Sequence, residues 1–220
     1  MKRGTKLWII LFVSLLSLIG AVPAQEQPKP HIAADAALAK LKEGNKRFAS
    51  AAVSAGKPTA ARRAETAHEQ HPFAIIVGCA DSRASPELIF DQNIGDLFVI
   101  RTAGSLVDDY ALGSIEYAVE HLGTRLIVVL GHERCGAVTA ALATNSAPGH
   151  IQALVRDLQP AVQAARSKAG DVLANTIMEN DAQVAKKIRK EGKFGELAPE
   201  VRIVSGYYDL DTGEVNWAKD

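Results

Sequence analysis

Phe73-Ala74-Ile75-Ile76-Val77-Gly78-Cys79-Ala80-Asp81-Ser82-Arg83 and Leu126-Ile127-Val128-Val129-Leu130-Gly131-His132-Glu133-Arg134-Cys135 share one plan. Each is an apolar run, then a glycine, then a side chain able to bind a metal. Apolar runs without polar alternation read as strands buried on both faces, as in a parallel sheet covered by helices. Residues 97–100 and 201–207 supply two more short apolar runs. Between them lie helical patterns at 35–50, 110–122, 136–143, 150–167 and 171–191, with part of 51–71 also expected to be helix. Asp35 is the expected N-cap of the first. Asp211-Thr212-Gly213 reads as a hairpin turn, so the last segment is expected to pair antiparallel at a sheet edge. The expectation is an α/β fold: a mainly parallel sheet of four strands with a C-terminal edge strand, flanked by helices.

This layout places the chemistry. Cys79 and His132 are expected just beyond the carboxyl ends of neighbouring parallel strands, where open α/β sheets build their sites. Cys135 then opens a helix, whose free amide groups are expected to lower its thiol pKa. Gly136 is expected to let the backbone pass close to a bound metal. Two thiolates and an imidazole suit Zn²⁺, and three protein ligands leave a fourth position for water. The opposing reading is a Cys79–Cys135 disulfide, since these are the only two cysteines and an oxidising compartment would favour pairing.

That compartment is suggested by the first residues. Lys2, Arg3 and Lys6 precede an apolar run at 7–19, and Ala21-Val22-Pro23-Ala24 offers small residues for cleavage. This is the order of a secretory signal peptide, residues 1–24, too short for a comfortable membrane span. A periplasmic or secreted location follows, with no stable membrane partner. Residues 25–34 read as a polar linker and 35–220 as one catalytic domain. The 220 residues carry a formal charge of zero, which gives no reason to expect a nucleic-acid partner. Losing residues 1–24 removes three basic groups and shifts the charge to −3.

Taken together, Cys-x-Asp-Ser-Arg at 79–83 and His-x-x-Cys at 132–135 resemble the signature of the β-class carbonic anhydrases. The likeness extends through 85–90, 96–101, 103–105 and 115–119. It implies zinc, one ion per chain, held by Cys79, His132 and Cys135. It also implies a catalytic dyad of Asp81 and Arg83, with Asp81 able to bind zinc in an inactive state of some members. The reaction implied is reversible hydration of CO₂ to bicarbonate and a proton, by attack of zinc-bound hydroxide. Gln70, nine residues before Cys79, matches a plant-like branch. Phe98 and Tyr117 match pocket residues, and a homodimer or dimer-based tetramer is implied in which Gln70 and Tyr117 serve the neighbour's zinc. A tryptophan of another branch's regulatory bicarbonate site is replaced here by Ile76. Arg101 reads as structural, and His31, His68, His71, His121 and His150 receive no role. Two other functions compete: a related zinc hydrolase acting on carbonyl sulfide or carbon disulfide, and a non-enzymatic disulfide-bonded exported protein.

Overall fold

A computed structural model describes residues 32–53 and 59–218. The helices are α1 (Ala34–Ala49), α2 (Ala60–Thr66), α3 (Pro86–Ile89), α4 (Asp109–Glu120), α5 (Gly136–Ala143), α6 (Ile151–Ala165) and α7 (Val172–Glu191). The strands are β1 (Ala74–Cys79), β2 (Leu97–Thr102), β3 (Leu126–His132), β4 (Arg202–Tyr208) and β5 (Val215–Trp217). They form one sheet in the order β2-β1-β3-β4-β5. The first four are parallel, and β5 returns antiparallel against β4 at the edge.

Successive strand residues point to opposite faces, and the two cores divide accordingly. Ile76, Val128, Leu130 and Val204 pack under α1 and the end of α3 with Leu41 and Phe90. Ile75, Val77, Ile127, Val129 and Ile203 pack under α4 and α7 with Ile115, Val184 and Ile188. Both faces being covered is why β1 and β3 are buried along their whole length and why their sequences lack alternation. Each such Val, Ile or Leu contributes about 1.5–3 kcal/mol over leaving it exposed. The register sets Gly78 beside Leu130 and His132 beside Tyr208. The carboxyl ends of β1 and β3 therefore finish side by side.

Several expectations need correction. Cys79 and His132 are the last residues of β1 and β3 and do not follow them. Helix α1 begins at Ala34, inside the expected linker. Its N-cap is Ala33, with no side-chain cap bond. Asp35 instead lies in the first turn and pairs with Arg202 of β4, where its charge still suits the positive helix end. Helix α3 carries proline at its first turn, a favoured position that was missed because the helix is one turn long. The expected signal peptide, and the linker up to residue 31, lie outside the described residues. No described helix is long and apolar enough to cross a membrane.

Buried Asn45 ties α1 to the rest. Its amide donates to the carbonyls of Ile89 and Gly213, and its oxygen accepts from the Val215 N–H. One residue earlier, a Cβ on Gly44 would stand 1.8 Å from the Phe90 carbonyl oxygen. Gly44→Ala is therefore expected to destabilise the fold by about 1–3 kcal/mol or more. Gly113 on α4 has no atom within 4 Å of such a Cβ, and Gly113→Ala is expected to be neutral or stabilising by up to about 1 kcal/mol. Urea unfolding midpoints of the two variants check the contrast.

Candidate metal centre

The ligand atoms of Cys79, His132 and Cys135 all lie within 4.8 Å of one another, and all three residues are buried. Strand ends deliver the first two. The third arrives through the turn after β3, where Arg134 adopts φ 53°. That left-handed conformation is uncommon for a non-glycine residue. It is held by the Arg134 guanidinium, which donates to both carboxylate oxygens of Asp211 at 2.9 and 2.7 Å. Cys135 then occupies the N-cap of α5.

The sulfurs of Cys79 and Cys135 are 4.0 Å apart and both thiols are free. A disulfide needs about 2.05 Å, so the arrangement described is not the disulfide that cysteine count alone suggests. Roughly 3.8 Å is the spacing of two thiolates that share a tetrahedral zinc at about 2.3 Å. His132 Nδ1 bonds the Glu133 carbonyl at 2.9 Å, which fixes that nitrogen as the N–H and leaves Nε2 as the lone-pair donor. Among the described residues that buried Nε2 has no hydrogen-bond partner, as suits a nitrogen whose role is to bind a metal. The donor set fits zinc.

The electrostatics point the same way. The Cys79 thiol is drawn below the ordinary thiol range, mainly by the neighbouring Cys135. The Gly104 N–H at 3.4 Å also helps. The Cys135 thiol is pushed up, by Cys79 first and by burial second. The amides of Ala137 and Val138 at the start of α5 do pull it down, but they are outweighed. The helix terminus thus acts on Cys135 in the expected direction, and the neighbouring Cys79 acts against it. Two adjacent buried sulfurs share a single negative charge until a cation joins them. Burial opposes a charged His132, yet the Cys79 thiolate and Asp81 outweigh it, and the imidazole pKa is raised.

Asp81 lies in a clamp. Its Oδ1 accepts from the Arg83 N–H and Nε at 2.9 Å each, and its Oδ2 from Nη2 at 2.8 Å. These bonds hold its carboxyl well below the usual carboxylate range. Oδ2 is also 3.9 Å from His132 Nε2. Asp81 thus stands beside the Cys-His-Cys group without belonging to it. Behind it, Arg101 donates to the carbonyls of Cys79 and Asp81 and so sets the path of the loop between them.

The remaining sequence-derived residues are placed elsewhere in the chain. Phe98 on β2 and Tyr117 on α4 meet each other, with ring centroids 6.4 Å apart. Phe98 is in register with Ile75, whereas Cys79 is in register with Thr102. Four residues of strand, about 13 Å, separate the two levels. Gln70 is exposed ahead of the amino end of β1, at least about 17 Å along the strand from Cys79. Gly136 is exposed, with no described atom within 4 Å of where a Cβ would stand. Residues whose part was not foreseen are Gly104, with φ 74° and its N–H on Cys79, and Asn180, which donates to the Gly104 carbonyl at 2.8 Å. The Ala103-Gly104-Ser105 triplet was a visible signal for the first. Asn180 left none.

The family model described as carbonic anhydrase matches residues 74–215. Carbonic anhydrase 2 of Mycobacterium tuberculosis is 50% identical over 131 residues, covering 58% of this chain and 63% of that protein. The chain thus spans just under two thirds of the length of that relative. The carbonic anhydrase of Mycolicibacterium smegmatis is 38% identical over 188 residues, covering 82% of this chain and 91% of that protein. A Coccomyxa β-carbonic anhydrase solved with acetazolamide superposes with a TM-score of 0.65 at 25% identity, covering 82% of this chain and 85% of that one. The chain belongs to the β-class carbonic anhydrases.

The Asp81–Arg83 clamp makes a prediction of its own. In reduced, metal-free protein, Arg83→Ala is expected to raise the Asp81 titration midpoint toward the unperturbed value of about 3.9. A carboxylate whose pKa is depressed on folding adds stability above its unfolded pKa and loses it as pH falls through the folded value. The variant is therefore expected to lose stability at neutral pH and to show a weaker acid dependence below about pH 4. Carbon-detected NMR of the Asp81 carboxyl checks the shift.

Proposed function

We propose that this chain is an exported zinc enzyme that interconverts CO₂ and bicarbonate with release or uptake of a proton. The observation that carries the reading is the buried convergence of Cys79, His132 and Cys135 beside an ionised Asp81 whose Oδ2 is 3.9 Å from His132 Nε2. Zinc held by these three side chains would supply the Lewis acidity that makes water nucleophilic at neutral pH.

The chain's own residues do the rest. Asp81, kept ionised by Arg83, can only accept hydrogen bonds. It takes the O–H of the attacking water and so orients the oxygen lone pair toward the substrate carbon. Arg83 is the positioning residue of that carboxylate. Arg101 fixes the loop that carries it. The Gly104 N–H stabilises the Cys79 thiolate.

The substrate pocket is completed by a second copy. Gln70, Phe98 and Tyr117 lie at the other end of the strands from this chain's own Cys79, and β2 is a sheet edge with half-buried residues throughout. Unpaired edges of this kind favour strand pairing with another chain. A dimer across this side brings Gln70 and Tyr117 to the neighbour's centre, as in the plant-like branch that Gln70 matches. Export rests on the basic, apolar and small-residue order of residues 1–24.

Asp81→Asn keeps the shape of the clamp and removes the charge. It is expected to retain one zinc per chain and to lower kcat at least about 100-fold, read by metal analysis and stopped-flow CO₂ hydration. Full activity in that variant would sink the role given to Asp81. The shared pocket is checked by mixing two impaired chains, Cys79→Ser and Gln70→Ala. Heterodimers are expected to regain activity at one site in two, because the Gln70→Ala chain supplies the metal centre and the Cys79→Ser chain supplies the glutamine. No gain on mixing would show that each chain builds its pocket alone.

A further inference from the structure

After β2 the chain passes through one tight turn, Ala103–Ser105. In it Gly104 has φ 74° and Ser105 φ 55°. This left-handed region suits glycine and is uncommon for serine. Such a backbone persists only where its surroundings hold it, and held strain of this kind gathers at functional sites. What the turn delivers is an amide. The Gly104 N–H donates to Cys79 Sγ at 3.4 Å. The Asp81 amide also favours the Cys79 thiolate, but it belongs to the loop that Cys79 itself begins. Gly104 reaches the sulfur from another strand end.

Four side chains hold this segment through backbone carbonyls. Thr102 Oγ1 donates to the Leu106 carbonyl at 2.6 Å, and Ser105 Oγ to that of Leu130 at 3.3 Å. Helix α7 supplies the other two. Asn180 Nδ2 donates to the Gly104 carbonyl at 2.8 Å, and Lys187 Nζ to that of Val107 at 2.7 Å. The two residues stand two turns apart on one face of the helix.

Of these bonds, the one from Asn180 is made to the residue whose N–H faces the sulfur. Asn180 is 4% exposed, so the bond is shielded from water. The N–H and the carbonyl of Gly104 are joined through its own φ and ψ, and glycine has the softest torsions of any residue. An anchor on the carbonyl therefore fixes the direction of the N–H. Removing it would strip a buried carbonyl of its side-chain donor, and a peptide so placed turns to find another.

We infer that Asn180 is a positioning residue of the metal centre: through the Gly104 carbonyl it aims the Gly104 N–H at Cys79 Sγ, and so sets how strongly that sulfur donates to a bound metal. The inference rests on the reading of Cys79, His132 and Cys135 as a metal centre. An N–H bonded to a thiolate draws electron density from the sulfur, and partners of this kind outside the ligand set tune a metal site.

Cadmium-113 and cobalt(II) are the probes, each loaded into the reduced full chain, with zinc affinity read by competition against a chelator. In the wild-type chain the Gly104 amide proton is expected to show scalar coupling to cadmium-113, which a hydrogen bond to the metal-bound sulfur transmits. In Asn180→Ala that coupling is expected to vanish and the cobalt–thiolate charge-transfer band to move to longer wavelength. Zinc affinity is expected to fall at least about tenfold. Asn180→Asp replaces the donor by an acceptor of the same size and is expected to behave alike; should Asn180→Ala fail to fold, it decides. Lys187→Ala removes the neighbouring anchor and is expected to leave coupling, band and affinity unchanged. The inference is overturned if the loaded wild-type chain shows no coupling, or if a folded Asn180 variant keeps the coupling and binds zinc as tightly as wild type. It is equally overturned if Lys187→Ala weakens zinc as much, which would mean a general loosening of the turn. A wild-type chain that takes up no metal overturns the reading of the centre itself, and this inference with it.

Discussion

Two sulfurs fixed 4.0 Å apart in a buried site carry one negative charge between them unless a cation is present. The sheet creates that constraint. Parallel β1 and β3 end side by side, and the turn after His132 brings Cys135 back against Cys79. Moving Cys79 or His132 by one position along its strand would turn the side chain to the other face. The centre is therefore as well specified as the sheet register, and the register is secured by apolar packing on both faces.

Around that constraint the polar network is layered outward. The Gly104 N–H and Cys135 favour the Cys79 thiolate, and Asn180 holds the Gly104 carbonyl. Arg101 holds the Cys79 and Asp81 carbonyls. Arg83 holds the Asp81 carboxylate and reaches toward the Arg134 carbonyl at 3.5 Å. Arg134 in turn is fixed by Asp211 from the turn between β4 and β5. The outer layers, beyond Gly104 and Asn180, are backbone carbonyls or carboxylates met by guanidinium groups, which give directional, charge-assisted bonds. The Asp81 carboxylate and its loop are thus positioned by Arg83 and Arg101.

Asp181 belongs to a different logic. It is buried deeply enough that its carboxyl is pushed well above the normal range by desolvation, yet one of its oxygens finds no donor among the described residues. A chain that satisfies Asn45 with three hydrogen bonds leaves this one incomplete.

By itself the sequence determined the strands, the order of the longer helices, the edge hairpin, and the three side chains able to hold a metal with the Asp81–Arg83 pair. These were legible because both-face burial writes uninterrupted apolar runs, and because soft ligands and a charged pair directly after such runs are chemically distinctive. Local boundaries were less legible. Asp35 was expected as a cap, but its carboxylate is taken by Arg202, a partner 167 residues away. The acidity of Cys135 was read from the helix terminus alone, whereas the nearby Cys79 sulfur also acts on it. Tertiary structure alone showed that Gln70, Phe98 and Tyr117 lie far from this chain's own Cys79, and that Asp181 and Asn180 back the site. Strand direction and long-range packing set those distances, and neither is written in residue spacing.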